Sequence, residues 1–244
     1  MARPALRVAA LHDVHGNLPA LDAVLEEVGD DALIVVGGDV AAGPSPAATL
    51  ERLRGLGHRV RWLRGNADRE LAAVPEQHPG GWPPGVVEWV REQLSNEQLA
   101  FVTGLPERQS VDVEAMGPVL FCHATPRSDE ELLTRISPDE RWAAALAGVD
   151  EATVVVGHTH VQFDRHVGET RLVNAGSVGM PYEQEPGAYW ALFGPDVELR
   201  RTAYDTDAAT KAIAESGWPE EWPAATPEDA TEFFERISRE RAGA

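Results

Sequence analysis

Hydrophobic and polar positions repeat with two alternating periods along the first sixty residues. Leu6 to Leu11 is a short apolar run rich in Val and Leu, the pattern of a buried strand. Asn17 stands where a helix N-cap belongs. Leu21, Val24, Leu25 and Val28 repeat behind it at helical spacing, and Gly29 marks the end. Ala32 to Val36 follows as a second apolar run. Ser45 and Pro46 open another helix as cap and first-turn proline, with Leu50 and Leu53 on its inner face and Gly55 closing it. Arg59 to Leu63 makes a third strand. Strand, helix, strand, helix, strand predicts a parallel α/β layer.

Between 75 and 85 the rhythm breaks, with Pro75, Pro79, Gly80, Gly81, Pro83 and Pro84 close together. Two helices are expected beyond them. One carries Val86, Val87, Val90 and Leu94; the other opens with Ser95 and Gln98 as a capping box. A strand follows at Val119 to Cys122, and Ser137, Pro138 and Glu140 predict a capping box for a helix running to about Leu146. Apolar runs at Thr153 to Val156, Gln162 to Val167, Arg171 to Val173, Ala188 to Phe193 and Val197 to Thr202 read as a second, largely antiparallel layer. Two amphipathic helices are expected in the tail. The second starts at Thr226, Pro227 and Asp229 and carries Phe233, Phe234 and Ile237. The expected plan is a main domain over 1–205 with a helical insertion at about 75–105, then a helical extension over 206–244 packed on the core.

Composition narrows the function classes. The 244 residues are 43% hydrophobic and 25% charged, as in an ordinary globular chain that buries a large core. Forty acidic residues against 21 basic ones give a formal charge of −19, which disfavours nucleic acid and anionic lipid as partners. Cys122 stands alone, so no disulfide forms within the chain. Met1 to Leu11 lacks the pattern of a secretory leader, and no apolar run suits a membrane span, so a cytoplasmic protein is expected. A homo-oligomer is compatible with the tail helices.

Polar residues cluster just after the expected strands, where ligands bind in open α/β sheets. They stand as Asp13-Val14-His15-Gly16-Asn17, Gly37-Gly38-Asp39, Gly65-Asn66-Ala67-Asp68, His123 and Gly157-His158-Thr159-His160. Each loop offers carboxylate, carboxamide or imidazole. Asp and His together suit Mn, Fe, Zn, Ni or Co, whereas Ca or Mg would call for oxygen ligands. Read singly, an Asp-x-His or a Gly-Asp is a turn. Five such loops in order, all able to converge on one cleft, point to a metal site.

The ordered set resembles the calcineurin-like metallophosphoesterases, whose pattern runs D-x-H, G-D, G-N-H-[DE], a lone H, then G-H-x-H. Asp13-Val14-His15-Gly16-Asn17-Leu18, Gly43-Pro44 and Asn174-Ala175-Gly176-Ser177-Val178-Gly179 are similar to the compact phosphodiesterases of bacteria and archaea. The similarity covers roughly residues 6 to 204. It implies two packed mixed β-sheets flanked by helices, an α/β (α+β) sandwich of four αββα layers. It also implies two divalent metal ions, with manganese first and Fe, Zn, Ni or Co as alternatives. Asp13, His15 and His160 would hold the first ion, Asn66, His123 and His158 the second, and Asp39 would bridge them. A metal-bridging hydroxide would then attack a phosphate ester in line. Asp39, Asn66 and His158 are the expected catalytic residues, and Asn17, Asn66 and His158 the expected substrate contacts.

One position departs from the pattern. Ala67 replaces the histidine that protonates the leaving oxygen in many relatives, and alanine carries no such proton. His12 is weighed as a substitute but reads better as a core histidine, as Cys122 reads as core packing. Asp68 reads as a turn residue or a support behind the ligands. Arg127 and Tyr182 are candidates for either substrate or surface roles. His58, His78 and His166 show no partner pattern, and the tryptophans at 82, 89, 218 and 222 read as packing. The expected function is a phosphodiesterase on small esters, nucleotide-like ones included. A phosphomonoesterase on the same site, or a scaffold that keeps the fold without turnover, stands as the alternative.

Overall fold

The computed structural model describes residues 7–72 and 82–242. Leu6, at the start of the first expected strand, lies outside them. So do Pro75, Pro79, Gly80, Gly81 and His78.

The parallel half forms as the periodicity predicts. β1 (Arg7–Leu11), β2 (Ala32–Gly37) and β3 (Val60–Leu63) pair in parallel, joined by α1 (Leu18–Val28) and α2 (Pro46–Arg54). Asn17 Oδ1 accepts from Ala20 N at 3.2 Å to start α1, and Gly29 ends it at φ +64°. Ser45 makes no side-chain cap bond, so Pro46 with its fixed φ carries the start of α2. Alternation along β1 sorts its side chains: Ala9 and Leu11 join the core beneath the helices, while Val8 and Ala10 face a second sheet.

That second sheet contains β4 (Arg108–Val113), β5 (Gly117–Cys122), β6 (Thr153–Val156), β7 (Phe163–Val167) and β8 (Thr170–Asn174), in the order β4-β5-β6-β8-β7. Its centre is parallel, β5 with β6 and β6 with β8, and its edges are antiparallel hairpins. The late apolar runs therefore do not make one antiparallel layer. β9 (Ala188–Phe193) and β10 (Val197–Thr202) return to the first sheet, giving β10-β9-β1-β2-β3. All six residues of β9 are buried there. A strand apolar on both faces needs cover on both, and the place beside β1 supplies it.

Two elements escape the periodicity. β4 alternates weakly, with Gln109, Ser110 and Asp112 among its residues, and the single-turn helix α3 (Asn66–Glu70) begins inside a ligand motif. The insertion helices α4 (Pro84–Gln93) and α5 (Asn96–Thr103) form, and Ser95 and Gln98 exchange the expected reciprocal bonds. The capping box expected at Ser137 does not. Pro138 occupies the cap of α6 (Asp139–Ala145), while the Ser137 hydroxyl accepts from Thr134 N and donates to the carboxylate of Glu235. Glu235 belongs to α8 (Pro227–Ala242), which follows α7 (Thr206–Glu215) and whose start is held by Thr226 Oγ1 accepting from Asp229 N. A buried carboxylate wants donors more than a helix end wants a cap.

Both sheets pack face to face through Val8, Val35, Phe121, Val155, Val173 and Phe193. Phe121 and Phe193 meet across the interface edge to face, centroids 5.7 Å apart at 81°. No helix among the described residues is long and apolar enough to cross a membrane. Phe121→Ala removes one side of the inter-sheet pair. It is expected to lower unfolding free energy by about 3–5 kcal/mol, and Phe121→Leu by under about 1.5 kcal/mol. Denaturant unfolding measures both, and equal losses would show that ring volume does not hold the sheets together.

Candidate metal centre

The loops after β1, β2, β3, β5 and β6 end at one place, between the two sheets' C-terminal edges. The backbone there is forced. Asp13, His15, Asp39, His158 and His160 all have positive φ, between 46° and 65°, and among the described residues only Ala115 joins them outside glycine. Side chains rarely adopt this left-handed region, and residues held there cluster at functional sites. A regular helix would turn Asp13 and His15, two positions apart, to different faces, and these loops do not. Close approach is the other requirement. A Cβ on Gly65 would lie 2.0 Å from Asp39 Oδ1, and one on Gly157 would lie 2.4 Å from Asp13 Oδ2.

Two groups of donors result, Asp13 with His15 and His160, and Asp39 with His123 and His158, each gathered within 4.8 Å. Asp13 Oδ1 has no hydrogen bond, yet it lies 3.2 Å from His160 Nε2, 3.8 Å from His15 Nε2 and 3.9 Å from His123 Nε2. Asp39 Oδ2 lies 3.4 Å from His123 Nε2 and 3.9 Å from His15 Nε2, so it faces both groups. The Asn66 carboxamide oxygen is 3.1 Å from His123 Nε2.

Three rings are anchored from behind. His15 Nδ1 bonds Ala42 O at 2.9 Å, His123 Nδ1 bonds Gly37 O at 3.0 Å, and His160 Nδ1 bonds Met180 O at 2.6 Å. A carbonyl only accepts, so each Nδ1 carries the proton and, in the neutral ring, Nε2 presents a lone pair. His15 and His160 then point two lone pairs at each other across 3.2 Å. His158 Nε2 is buried with no hydrogen-bond partner. Opposed lone pairs, an orphaned imidazole nitrogen and an orphaned carboxylate oxygen fit cations bound between them, and the N/O donor set fits a first-row transition metal.

The electrostatics agree. Burial would raise the Asp13 carboxyl, but the imidazoles of His160, His123 and His15 together outweigh it and hold Asp13 well below the usual range. Asp39 behaves alike, with burial overcome chiefly by His123, and stands at about 2. Burial, reinforced by His160, lowers His15, and burial with His123 lowers His158 to about 3. His123 goes the other way. Burial opposes its charge, yet Asp39 and Asp13 together push it up to about 10.

The remaining sequence candidates have visible places. Asn66 stands on the cavity wall, as do His15, Asp39, His158 and His160. Asn17 is buried, and its amide is spent on Ala20 N, Gly179 O and the Tyr204 hydroxyl. It joins α1 to the 176–180 loop and does not line that cavity. Ala67 contributes its backbone N–H to Asp39 Oδ1 at 2.8 Å. Asp68 clamps two ligand loops by accepting from Val40 N, Ala41 N and Gly65 N, and burial with nearby Asp39 pushes it up to about 7. His12 lies under the floor, its ring against Gly37 and its Nε2 on Cys122 O, with burial lowering it to about 4. Arg127 is engaged with Glu131 and Ala144 O on the surface. Cys122 is buried in the core of the second sheet.

The cavity over the donors measures about 590 Å³. Its outer wall, Trp82, Met180, Tyr182, Phe233 and Phe234, was not assigned as a unit from the sequence. Tyr182, read there as substrate or surface, stacks on His160 at 5.0 Å and 24°. No local signal marks this wall, because adjacent apolar residues such as Phe233 and Phe234 are ordinary on an amphipathic helix that faces a core.

A family model described as the calcineurin-like phosphoesterase superfamily domain matches residues 6–193. An uncharacterized protein of Methanocaldococcus jannaschii is 26% identical over 240 residues, spanning 87% of this chain and 94% of that relative. The phosphodiesterase YfcE of Escherichia coli is 26% identical over 193 residues, spanning 74% and 83%. A solved metallophosphoesterase from Sphaerobacter thermophilus superposes with a TM-score of 0.71 at 26% identity, covering 96% of this chain and 99% of that one.

Two outcomes follow from the geometry. Gly65→Ala is expected to abolish Mn²⁺ binding measured by calorimetry. Gly85→Ala, on α4 where a Cβ meets nothing within 4 Å, leaves it intact. His123, raised to about 10, keeps a proton on Nε2 at neutral pH, and a cation must displace it. Metal affinity therefore rises with pH, by about tenfold per unit between pH 6 and 8 for one displaced proton. A flat titration series over that window would contradict this.

Proposed function

The chain belongs to the calcineurin-like phosphoesterase superfamily, and from that premise we propose that it is a phosphodiesterase acting through two divalent cations, with manganese the first choice. The observation that carries the reading is the pair of buried donor groups, in which Asp13 Oδ1 and His158 Nε2 have no hydrogen-bond partner and His15 and His160 face each other through Nε2 at 3.2 Å. Asp13, His15 and His160 would hold one cation and Asn66, His123 and His158 the other, with Asp39 facing both groups. Such ions would supply Lewis acidity, lowering the pKa of water and neutralising charge on a phosphoryl group. Ala42, Gly37 and Met180 carbonyls fix the rings, so the ligands stand ready before substrate arrives. Asn66 and His158 line the cavity, which supports the reading that they touch the phosphate.

Diesters suit this cavity better than monoesters. No Lys or Arg among the described residues lines it, and Asp229 adds a negative group. A dianionic terminal phosphate would find no cationic side chain to pair with. The charge of −19 weighs equally against a nucleic-acid strand, leaving small soluble esters, nucleotide-like ones included.

Leaving-group protonation has no side chain assigned to it. Ala67 supplies none, and His12 is sealed beneath the floor. General acid catalysis contributes about 10²–10⁴-fold where present, so esters with acidic leaving groups are favoured by that order.

Metal-stripped protein is expected to hydrolyse bis(p-nitrophenyl) phosphate only after Mn²⁺ is added, and faster than p-nitrophenyl phosphate. Asp39→Asn removes the shared charge and is expected to abolish this activity. Across aryl diesters, kcat/KM falls steeply as leaving-group pKa rises. An alkyl leaving group departing as fast as p-nitrophenolate would rule out the missing acid, and a preference for the monoester would rule out the diesterase.

A further inference from the structure

One side of the cavity is aromatic, and part of that side is not supplied by the matched domain. Tyr182 lies against His160, Phe234 stands 6.2 Å from Tyr182, and Phe233 stands 5.4 Å from Phe234. Trp82 meets His15 edge to face at 5.8 Å. The rings thus run outward in series from the ligand imidazoles themselves. Phe233 is 41% exposed, one of three large hydrophobics so exposed among the described residues, and it faces this cavity. The family match ends at residue 193, whereas Phe233 and Phe234 belong to α8.

That helix is fixed in place. Glu235, the next residue, is buried and accepts from Thr134 Oγ1 at 2.8 Å, from the Ser137 hydroxyl, and from Arg141 at 3.4 Å. Ser238 Oγ donates to Leu132 O at 2.8 Å. Side chains one and two positions before such an anchor have a defined position over the metal cluster. The residues lining this wall are uncharged apart from Asp229, with Ala224, Ala225 and Ala230 between the rings, and the Arg236 guanidinium lies 5.3 Å from the Phe233 ring centroid.

We propose that α8 selects the substrate: a monoanionic phosphodiester with an uncharged planar aromatic group, aryl or nucleobase, on the arm that does not leave. The inference rests on the phosphodiesterase reading and adds the class of ester. Ring faces and edges reward a planar π-system beyond the apolar area they cover, and bases of any identity stack on them. A flexible alkyl arm gains the area alone and loses rotational freedom when held. The cavity of about 590 Å³ has the size of a small-ligand site, enough for a phosphate and one such arm.

Three diesters that share p-nitrophenolate as leaving group test this, with methyl, phenyl and thymidin-5′-yl as the retained arm. The chemistry of departure is then constant. Mn²⁺-loaded protein is expected to favour phenyl or thymidinyl over methyl by about tenfold in kcat/KM, through KM. The better of the two identifies the source as plain aryl or nucleoside. Phe234→Leu keeps apolar bulk without a ring face, and Phe233→Ala changes an exposed position. With melting temperatures near that of the parent protein, each is expected to reduce the aromatic-to-methyl ratio severalfold. A flat series, or a ratio unchanged in both variants, overturns the proposal.

Binding separates this result from the fate of the phosphodiesterase reading. Methyl phenylphosphonate and methyl methylphosphonate are monoanionic diester mimics, compared by calorimetry on the Mn²⁺-loaded protein. Tighter binding of the phenyl compound without turnover of any ester would sustain the aromatic wall and sink the diesterase. Turnover with equal binding of the two would do the reverse.

Discussion

Crowding of unshared electron pairs is the constraint on which the rest of this structure depends. Asp13 Oδ1 is ringed by three imidazole nitrogens, and His15 and His160 oppose theirs across 3.2 Å. Left to itself such a cluster would spread into solvent. It is held instead by carbonyls behind three of the rings, by the Asp68 clamp, and by loops locked in left-handed conformations. Left-handed backbone at five ligands costs on the order of 1–3 kcal/mol each. The two packed sheets offset that cost, and cations placed among the donors turn repulsion into attraction.

Much of this was legible in the chain. The parallel half follows from apolar runs separated by capped helices, because Asn17, Gly29, Pro46 and the inner-face leucines act locally. The ligand motifs were legible for the same reason, since a residue just past a strand is placed by that strand. What escaped was long-range. Nothing local in Ala188 to Phe193 says which sheet it joins, because a fully buried strand suits the middle of either. Ser137 carried a cap signal, but a carboxylate 98 residues away claimed its hydroxyl. The aromatic wall failed differently: amphipathic spacing in α8 is the same whether a stripe faces core or cavity.

The same comparison explains Ala67. Within its motif the substitution is a loss of chemistry, whereas in the structure its backbone still bonds Asp39 and begins a helical turn ending at Glu70. Asp68 ties the loop after β2 to the loop after β3 by accepting from Val40 N, Ala41 N and Gly65 N. The backbone geometry at position 67 is therefore kept although alanine has no proton to donate. The cavity over the donors has no Lys or Arg among its described lining residues and carries rings on its outer wall.

The return of β9 to the first sheet also sets a schedule for synthesis. Val8 pairs with Phe193, so one flank of the first strand made stays open until nearly the whole domain has been translated. At about 5–20 residues per second, that exposed edge persists for about ten seconds or more. Asp13 and His15, carried just past the end of that strand, also wait for His158 and His160, which are made before Phe193. A nascent chain thus carries half of the candidate metal site and an unpaired apolar edge together. An open strand edge is a template for pairing with another chain, and this topology leaves β1 with one until β9 is made.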